Sequence, residues 1–150
     1  MRSRRRVVLL VQRHDDTREM YAEFLRYRGF SVLAATNADD AVRLAPQADV
    51  VLTGIRLTGH ADGEELIARL RRESQTRSVL VLVLAAMAFP EDRARAEAAG
   101  CDAFLPLPCL PDDVLTEIRR LLLKRAGATA SMRKPAIVQA QRRGSRRRVS

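Results

Sequence analysis

Three stretches of the chain, VVLLV at 7–11, DVVLT at 49–53 and VLVLVL at 79–84, are apolar almost without interruption and rich in β-branched residues. A strand with one wet face alternates between apolar and polar, whereas a strand buried on both faces reads as a continuous run. The second pattern belongs to parallel sheets covered on both sides. Two shorter runs, FSVLAA at 30–35 and DAFLP at 102–106, bring the set to five. Segments of helical period lie between them. Met20, Phe24 and Tyr27 recur at helical spacing behind Asp16, a helix cap answered by Glu19, and Gly29 stands where that helix needs a left-handed residue. Asn37 caps a second helix carrying Ala41, Val42 and Leu44, which Pro46 stops. EELIARLRRE (64–73) is amphipathic, and PEDRARAEAAG (90–100) opens on Pro and closes on Gly. PDDVLTEIRRLLLKR (111–125) sets Val114, Leu115, Ile118 and Leu122 on one face behind an acidic first turn. Five strands alternating with five helices predict an α/β chain, a (βα)5 doubly wound parallel five-stranded sheet. Right-handed crossovers give the strand order 2-1-3-4-5 and a ligand crevice at the C-terminal ends of the first and third strands.

The chain of 150 residues suffices for one domain with a real core. Its net charge of +9 is unevenly placed. Residues 1–6 hold four arginines, and residues 124–150 hold nine Lys/Arg and no acid. Residues 7–123 carry 14 basic and 18 acidic side chains, a net charge of −4. The expected organisation is a basic arm at 1–5, a mildly acidic domain at 6–124 and a disordered basic tail at 125–150, because periodicity dissolves after Gly127. The start MRSRRR is followed by only five apolar residues before Gln12, too few for a signal-peptide core, and no run approaches the roughly 20 residues of a membrane span. A cytoplasmic protein without membrane contact is expected. Cys101 and Cys109, eight apart, match neither a CxxC nor a zinc pattern and read as reduced, partly buried thiols.

If the sheet carries a site, its residues follow the strands. After the first strand come Gln12, Arg13 and His14; after the third, Gly54; after the fourth, Ala85 and Ala86; after the fifth, Leu107-Pro108. No pair of carboxylates converges there for Mg²⁺, which wants oxygen ligands. There is no nucleophile with a base, and no GxGxxG or P-loop lysine for a nucleotide phosphate. Thr53 should point to the opposite face from Gly54, and Asp49 begins the third strand at the far end of the sheet. Asp15, Asp62, His14 and His60 read as capping or solvated loop residues. No catalytic residue and no cofactor are expected, and the chain does not read as an enzyme.

Residues 6–123 resemble the receiver domain of bacterial two-component response regulators, of flavodoxin-like fold. The matching phrases are DTREMYAEFLRYRGFSV (16–32), ADVVLTGIRLTG…DG (48–63) and AFPEDRARAEAAGCDAFLPLPCLPDDVLTEIRRLL (88–122). The resemblance implies an acid pair for Mg²⁺ after the first strand, a phosphoacceptor aspartate after the third, a Thr or Ser switch after the fourth and a lysine after the fifth. Here the acid pair falls on Gln12 and Arg13, the phosphoacceptor on Gly54, the switch on Ala85 and the lysine on Leu107, and the reporting aromatic is Phe104. The implied function is that of a degenerate, stand-alone receiver in phosphorelay signalling, acting by phosphorylation-independent protein–protein contact and without Mg²⁺.

The resemblance also implies a partner face on the fourth helix, fifth strand and fifth helix, with Arg93, Arg95, Asp112, Glu117 and Arg119 as contacts. A histidine kinase, another receiver or a second copy of the chain is the implied partner. Arg13 either holds its head in water or fills the metal's place and pairs with Asp15 or Asp62. One alternative is a residual phospho-receiver with a non-standard acceptor. Another is weak association with nucleic acid or another polyanion through Arg142, Arg143, Arg146, Arg147 and Arg148, a tail without aromatic platforms for bases. RRGS and RRVS in that tail resemble basophilic kinase sites, a match that arginine-rich segments produce by chance. The residues after 123 leave no room for a helix-turn-helix.

Overall fold

The structure is a computed structural model that describes residues 4–86 and 89–133. Its elements follow in the order β1 (Val7–Val11), α1 (Asp15–Tyr27), β2 (Ser31–Ala35), α2 (Ala38–Leu44), a 3-10 turn (Ala45–Gln47), β3 (Val50–Thr53), α3 (Gly63–Arg72), β4 (Leu80–Ala86), α4 (Pro90–Ala99), β5 (Ala103–Leu107) and α5 (Pro111–Arg133). All strand pairs are parallel, in the order β2-β1-β3-β4-β5, so the expected (βα)5 arrangement is the one observed. Register runs unbroken across the centre, with Val8 beside Val50 and Val50 beside Leu80.

Alternation of side chains sorts the core onto two faces. Leu9, Val11, Val51, Val81 and Val83 join Leu66, Ile67 and Leu70 of α3 and Ala38 and Ala41 of α2 in one buried cluster. The intervening positions Val8, Leu10, Val50, Leu52, Leu82 and Leu84 are equally buried, as are Tyr21, Ala22 and Leu25 of α1 and Val114, Leu115 and Ile118 of α5. Two-sided burial is the physical content of the unbroken apolar runs.

Ends of elements follow local chemistry, with two departures from expectation. Asn37 caps α2 by accepting from the Asp40 amide at 2.8 Å, and Gly29 and Gly100 turn the chain with φ of 99° and 114°. Asp16 is not the cap of α1: the helix begins at Asp15 with His14 in the capping place and no side-chain cap bond. Asp15 and Asp16 both lie in the first turn, where their charge complements the helix dipole without a direct hydrogen bond. The second departure is at α5, which continues through Gly127 to Arg133. Periodicity detects a packed face, and an alanine-rich stretch is helical by propensity without one. The first compact unit ends at Ile118 and the second runs from Arg119. The tail arginines Arg142, Arg143, Arg146, Arg147 and Arg148 lie outside the described residues. Among the described residues no helix is long and apolar enough to cross a membrane.

Two polar clusters tie the sheet at the end away from the crevice. Asp49 accepts from the Val7 amide at 2.8 Å and from both terminal nitrogens of Arg4, at 2.9 and 3.1 Å. Part of the arginine arm is thereby anchored to the fold. Arg71 spreads its fork over the carbonyls of Gly100, Arg77 and Val79 and the carboxylate of Asp102, with contacts from 2.6 to 3.0 Å. Asp102 in turn accepts from the Val81 amide at 2.8 Å. One side chain therefore joins α3 to the turns before β4 and β5. Arg71→Ala should lower the unfolding free energy by about 2–3 kcal/mol in urea denaturation, since buried carbonyls lose a charged donor, and Arg71→Lys should recover only part.

Burial pushes the Asp49 carboxyl upward, but bonds from Arg4 and Val7 and the charge of Arg6 outweigh it and hold the group below the ordinary carboxylate range. A lowered folded pKa contributes stability above the unfolded value of about 3.9, and this is lost as pH falls through the folded value. Asp49→Asn should therefore cost stability at neutral pH, with the gap to the parent closing as denaturation curves are taken below about pH 4.

Candidate functional site

Parallel pairing brings the C-terminal ends of β1, β3, β4 and β5 to one edge, and the expected site residues Gln12, Arg13, Gly54, Ala85 and Leu107 all stand along it. At its centre Gln12 and Gly54 meet. The Gln12 amide donates to Ala35 at 3.1 Å and the Gly54 amide to Val11 at 2.9 Å, which extends the ladder by one rung past β1. The Gln12 side chain is only 8% exposed and lies against the side-chain-less face of Gly54. A Cβ built on Gly54 would stand 3.2 Å from Oε1 and 3.4 Å from Nε2 of Gln12. Nε2 is buried and, among the described residues, has no hydrogen-bond partner. The carboxamide thus occupies the space into which a side chain at position 54 would grow.

The flanks are crowded by backbone. A Cβ on Gly63, the first residue of α3, would collide with the Gly54 carbonyl, and the Gly63 amide donates to Ile55 at 2.7 Å. Glycine at 63 is what lets α3 start against the end of β3. Thr53 is fully buried with its hydroxyl donating to the Gly54 carbonyl at 2.8 Å. Arg18 donates to the Gln12 carbonyl at 2.9 Å and pairs with Asp15 at 2.6 Å.

That last pair overturns one reading of Arg13. Arg13 is exposed and makes no hydrogen bond or ion pair among the described residues, so the pairing with Asp15 or Asp62 is not formed. The physical reason is register: Asp15 opens α1, and a partner three residues on, Arg18, lies above it on the same helix face. The D-x-x-R spacing carried that signal. Arg56, two residues past Gly54 and likewise exposed without a partner among the described residues, was not singled out in the sequence. His14 and His60 are exposed, as the loop reading expects.

Farther along the edge Ala85 is buried and Phe104 is 7% exposed, its ring turned inward under the Arg93 guanidinium at 5.7 Å. Glu97 holds Arg93 in place at 3.0 Å. Leu107 precedes a cis peptide bond to Pro108. Next in the chain, the Cys109 thiol receives a hydrogen bond from the buried Tyr21 phenol; burial and the nearby Asp113 charge push the thiol up, and that bond only partly opposes them. Burial likewise raises Cys101 to about 11, so neither sulfur is primed as a thiolate.

A family model described as the response regulator receiver domain matches residues 8–119. The chain belongs to the receiver domain family. Among its curated relatives, the phosphate regulon transcriptional regulatory protein PhoB of Escherichia coli is 32% identical over 119 residues, 78% of this chain and 52% of that protein. A cyclic di-GMP phosphodiesterase of Thermotoga maritima is 32% identical over 79% of this chain and 30% of its own length. The chain thus spans about half, or less, of the curated relatives it matches. Its fold is shared with a response regulator receiver domain protein of Methanospirillum hungatei, at a TM-score of 0.76 and 20% identity over 83% of this chain and 99% of that one. The receiver domain of a Pseudomonas aeruginosa sensor histidine kinase, solved with a magnesium ion in its active-site cleft, matches at a TM-score of 0.71 and 25% identity over 78% and 97% of the two chains.

The residues expected on the receiver's partner face do not all stand together. Arg93 covers Phe104, and Asp112 is exposed and pairs with Arg28 at 3.3 Å. Glu117 is half-buried with a partner of its own. Arg95 instead turns toward α3, pairing with Glu64 at 3.1 Å and with Asp92 at 2.7 Å. Two residues on from Arg93, it lies on nearly the opposite side of α4. Arg119 is exposed and belongs to the second unit.

A buried amide nitrogen without a partner costs about 1–3 kcal/mol. Gln12→Leu should therefore raise the unfolding free energy by about 1 kcal/mol, and Gln12→Glu, which buries a charge in the same place, should lower it at neutral pH; paired urea titrations read both.

Proposed function

We propose that this receiver works in two-component signalling as a protein-binding module that needs no aspartyl phosphate. The observation that carries the reading is the contact of Gln12 with Gly54. In the register of the family Gly54 takes the phosphoacceptor position, and glycine has no carboxylate to phosphorylate. Gln12 and Arg13 take the places of the metal-binding acids, Ala85 that of the switch hydroxyl and Leu107 that of the lysine.

Receiver domains typically hold Mg²⁺ in this place, and the residues present do not fit it. A divalent cation needs several oxygen ligands, whereas the two acid positions here hold a neutral carboxamide, with one oxygen beside an N–H donor, and a cation. Repulsion between Mg²⁺ and an arginine about 4 Å away, at an effective dielectric of about 20, is worth several kcal/mol. The group for which the acids of a receiver exist is thus disfavoured by sign as well as by ligand number.

Without the chemistry, the surface remains. The inward Phe104 ring beneath Arg93 and the packed methyl of Ala85 favour a single conformation of the α4–β5 surface, on which Arg93, with Asp112 and Glu117 at the start of α5, offers charged contacts. The partner in this reading is a histidine kinase, another receiver or a second copy of the chain, met in the cytoplasm. Incubation with a small phosphodonor and Mg²⁺ should leave the intact mass unchanged and the hydrogen exchange of α4 and β5 unaltered. A gain of about 80 Da, one phosphoryl group, would overturn the reading in favour of a non-standard acceptor.

A further inference from the structure

We infer that the free edge of β2, with the groove between it and α1, pairs with the same edge of a second copy of the chain. The two sheets join antiparallel across a two-fold axis. This interface lies at the opposite side of the sheet from β5, away from the α4–β5 surface, and does not depend on phosphorylation.

An edge strand presents a row of unpaired backbone groups, which folds commonly blunt with proline or charge. The two edges of this sheet are β2 and β5. Strand β5 carries Pro106, which has no N–H to donate. Strand β2 reads SVLAA, with neither proline nor charge to keep a second strand away. Its pairing with β1 fixes which groups are free. The Ser31 amide donates to the Arg6 carbonyl at 2.9 Å, and the Ala35 carbonyl accepts from the Gln12 amide at 3.1 Å. In a parallel ladder residues 31, 33 and 35 therefore bond inward, and Val32 and Ala34 turn both backbone groups to the open edge. Among the described residues those groups have no partner. Two copies paired antiparallel about Leu33 set Val32 of each against Ala34 of the other. Each of these two contacts is of the kind that exchanges a pair of backbone hydrogen bonds.

Charge selects the same arrangement. Ala34 is exposed and shares a groove of about 400 Å³ with Arg18, Glu19, Ala22, Glu23 and Arg26, which form one flank of α1. Arg18 is taken by Asp15 and by the Gln12 carbonyl. Glu19, Glu23 and Arg26 are exposed and make no ion pair among the described residues. The acids of α2 are already committed, Asp39 to Arg69 and Asp40 to Arg43. The two-fold that pairs the β2 edges lays the α1 flanks side by side and antiparallel. With Ala22 and Glu23 at the centre, Glu19 of each copy comes level with Arg26 of the other, and the small Ala22 side chain lets the helices approach. A parallel arrangement would instead set Glu19 against Glu19. The flank is thus complementary to itself only when reversed, the sense in which the strand edges also match. Ala34 and the α1 flank line one groove, so the centre of the strand pairing and the centre of the charge pattern lie together.

Sedimentation equilibrium of the full chain tests the interface. The expected result is a weight-average mass that rises with concentration toward that of two chains. Ala34→Pro removes only the outward N–H of β2 and should weaken self-association about tenfold or more while the protein remains folded by circular dichroism. Glu19→Arg and Arg26→Glu, each alone, bring like charges together twice across the two-fold and should weaken it by about the same factor. Mixing those two variants should restore association, because both contacts of the mixed pair again join opposite charges. The mixing result decides alone if Ala34→Pro does not fold. The inference is overturned if the parent stays monomeric at millimolar concentration, if a folded Ala34→Pro or either charge reversal dimerises like the parent, or if the mixture associates no better than its components. A dimer abolished by Arg93→Glu and untouched by Ala34→Pro belongs to the α4–β5 surface and overturns it equally. None of these outcomes bears on the phosphodonor experiment, so the two readings fail separately.

Discussion

The whole arrangement depends on the parallel pairing of β1, β3 and β4, whose residues are buried from both sides. Parallel strands all run the same way, so every C-terminal end arrives at one edge. A polar side chain inside these strands must find its own partner between two apolar layers, as the Thr53 hydroxyl does on the Gly54 carbonyl at the end of β3. Chemistry is therefore confined to the one or two residues after each strand. In this chain those residues are Gln12 and Arg13, Gly54, Ala85 and Leu107, and the register that sets Val11 beside Thr53 is what brings Gln12 against Gly54.

The far edge performs the opposite task and is built differently. Asp49 and Arg71 there satisfy backbone amides and carbonyls that the turns would otherwise bury without partners. Nearly every donor of the Arg71 fork is used, and Asp102 is shared between the fork and the Val81 amide. An end so fully bonded is a rigid base. The crevice edge is bonded less completely, with the Gln12 Nε2 donor unpaired and Arg13 and Arg56 without ion pairs among the described residues.

The fold was legible because its signals are local and repeated. Continuous apolar runs, Asn37 at a helix start and Gly29 and Gly100 at helix ends each carry their meaning within a few residues, and they agree with one another. The site was legible in part. Its positions followed from strand order, yet the contents of the space did not, since whether Gln12 swings outward or folds over Gly54 depends on room left by a missing Cβ. The pairing of Arg13 failed for the same reason: two acids and two arginines lay within six residues, and helix phase, not proximity in sequence, selected Arg18 for Asp15. The extension of α5 escaped because alanine makes helix without making a face.

A site that had merely lost its chemistry would be expected to fill with residues that pack. Ala85 and Leu107 fit that description, since both are apolar and neither brings an unmet polar group to the edge. Gln12 does not. It holds a polar head in a place where leucine would bury as much surface at no desolvation cost, and it leaves one amide nitrogen unpaired there. Marginal stability makes one or two kcal/mol a large sum for a domain of this size. Burying an unpaired donor is therefore a cost to folding that the packing around Gln12 does not offset.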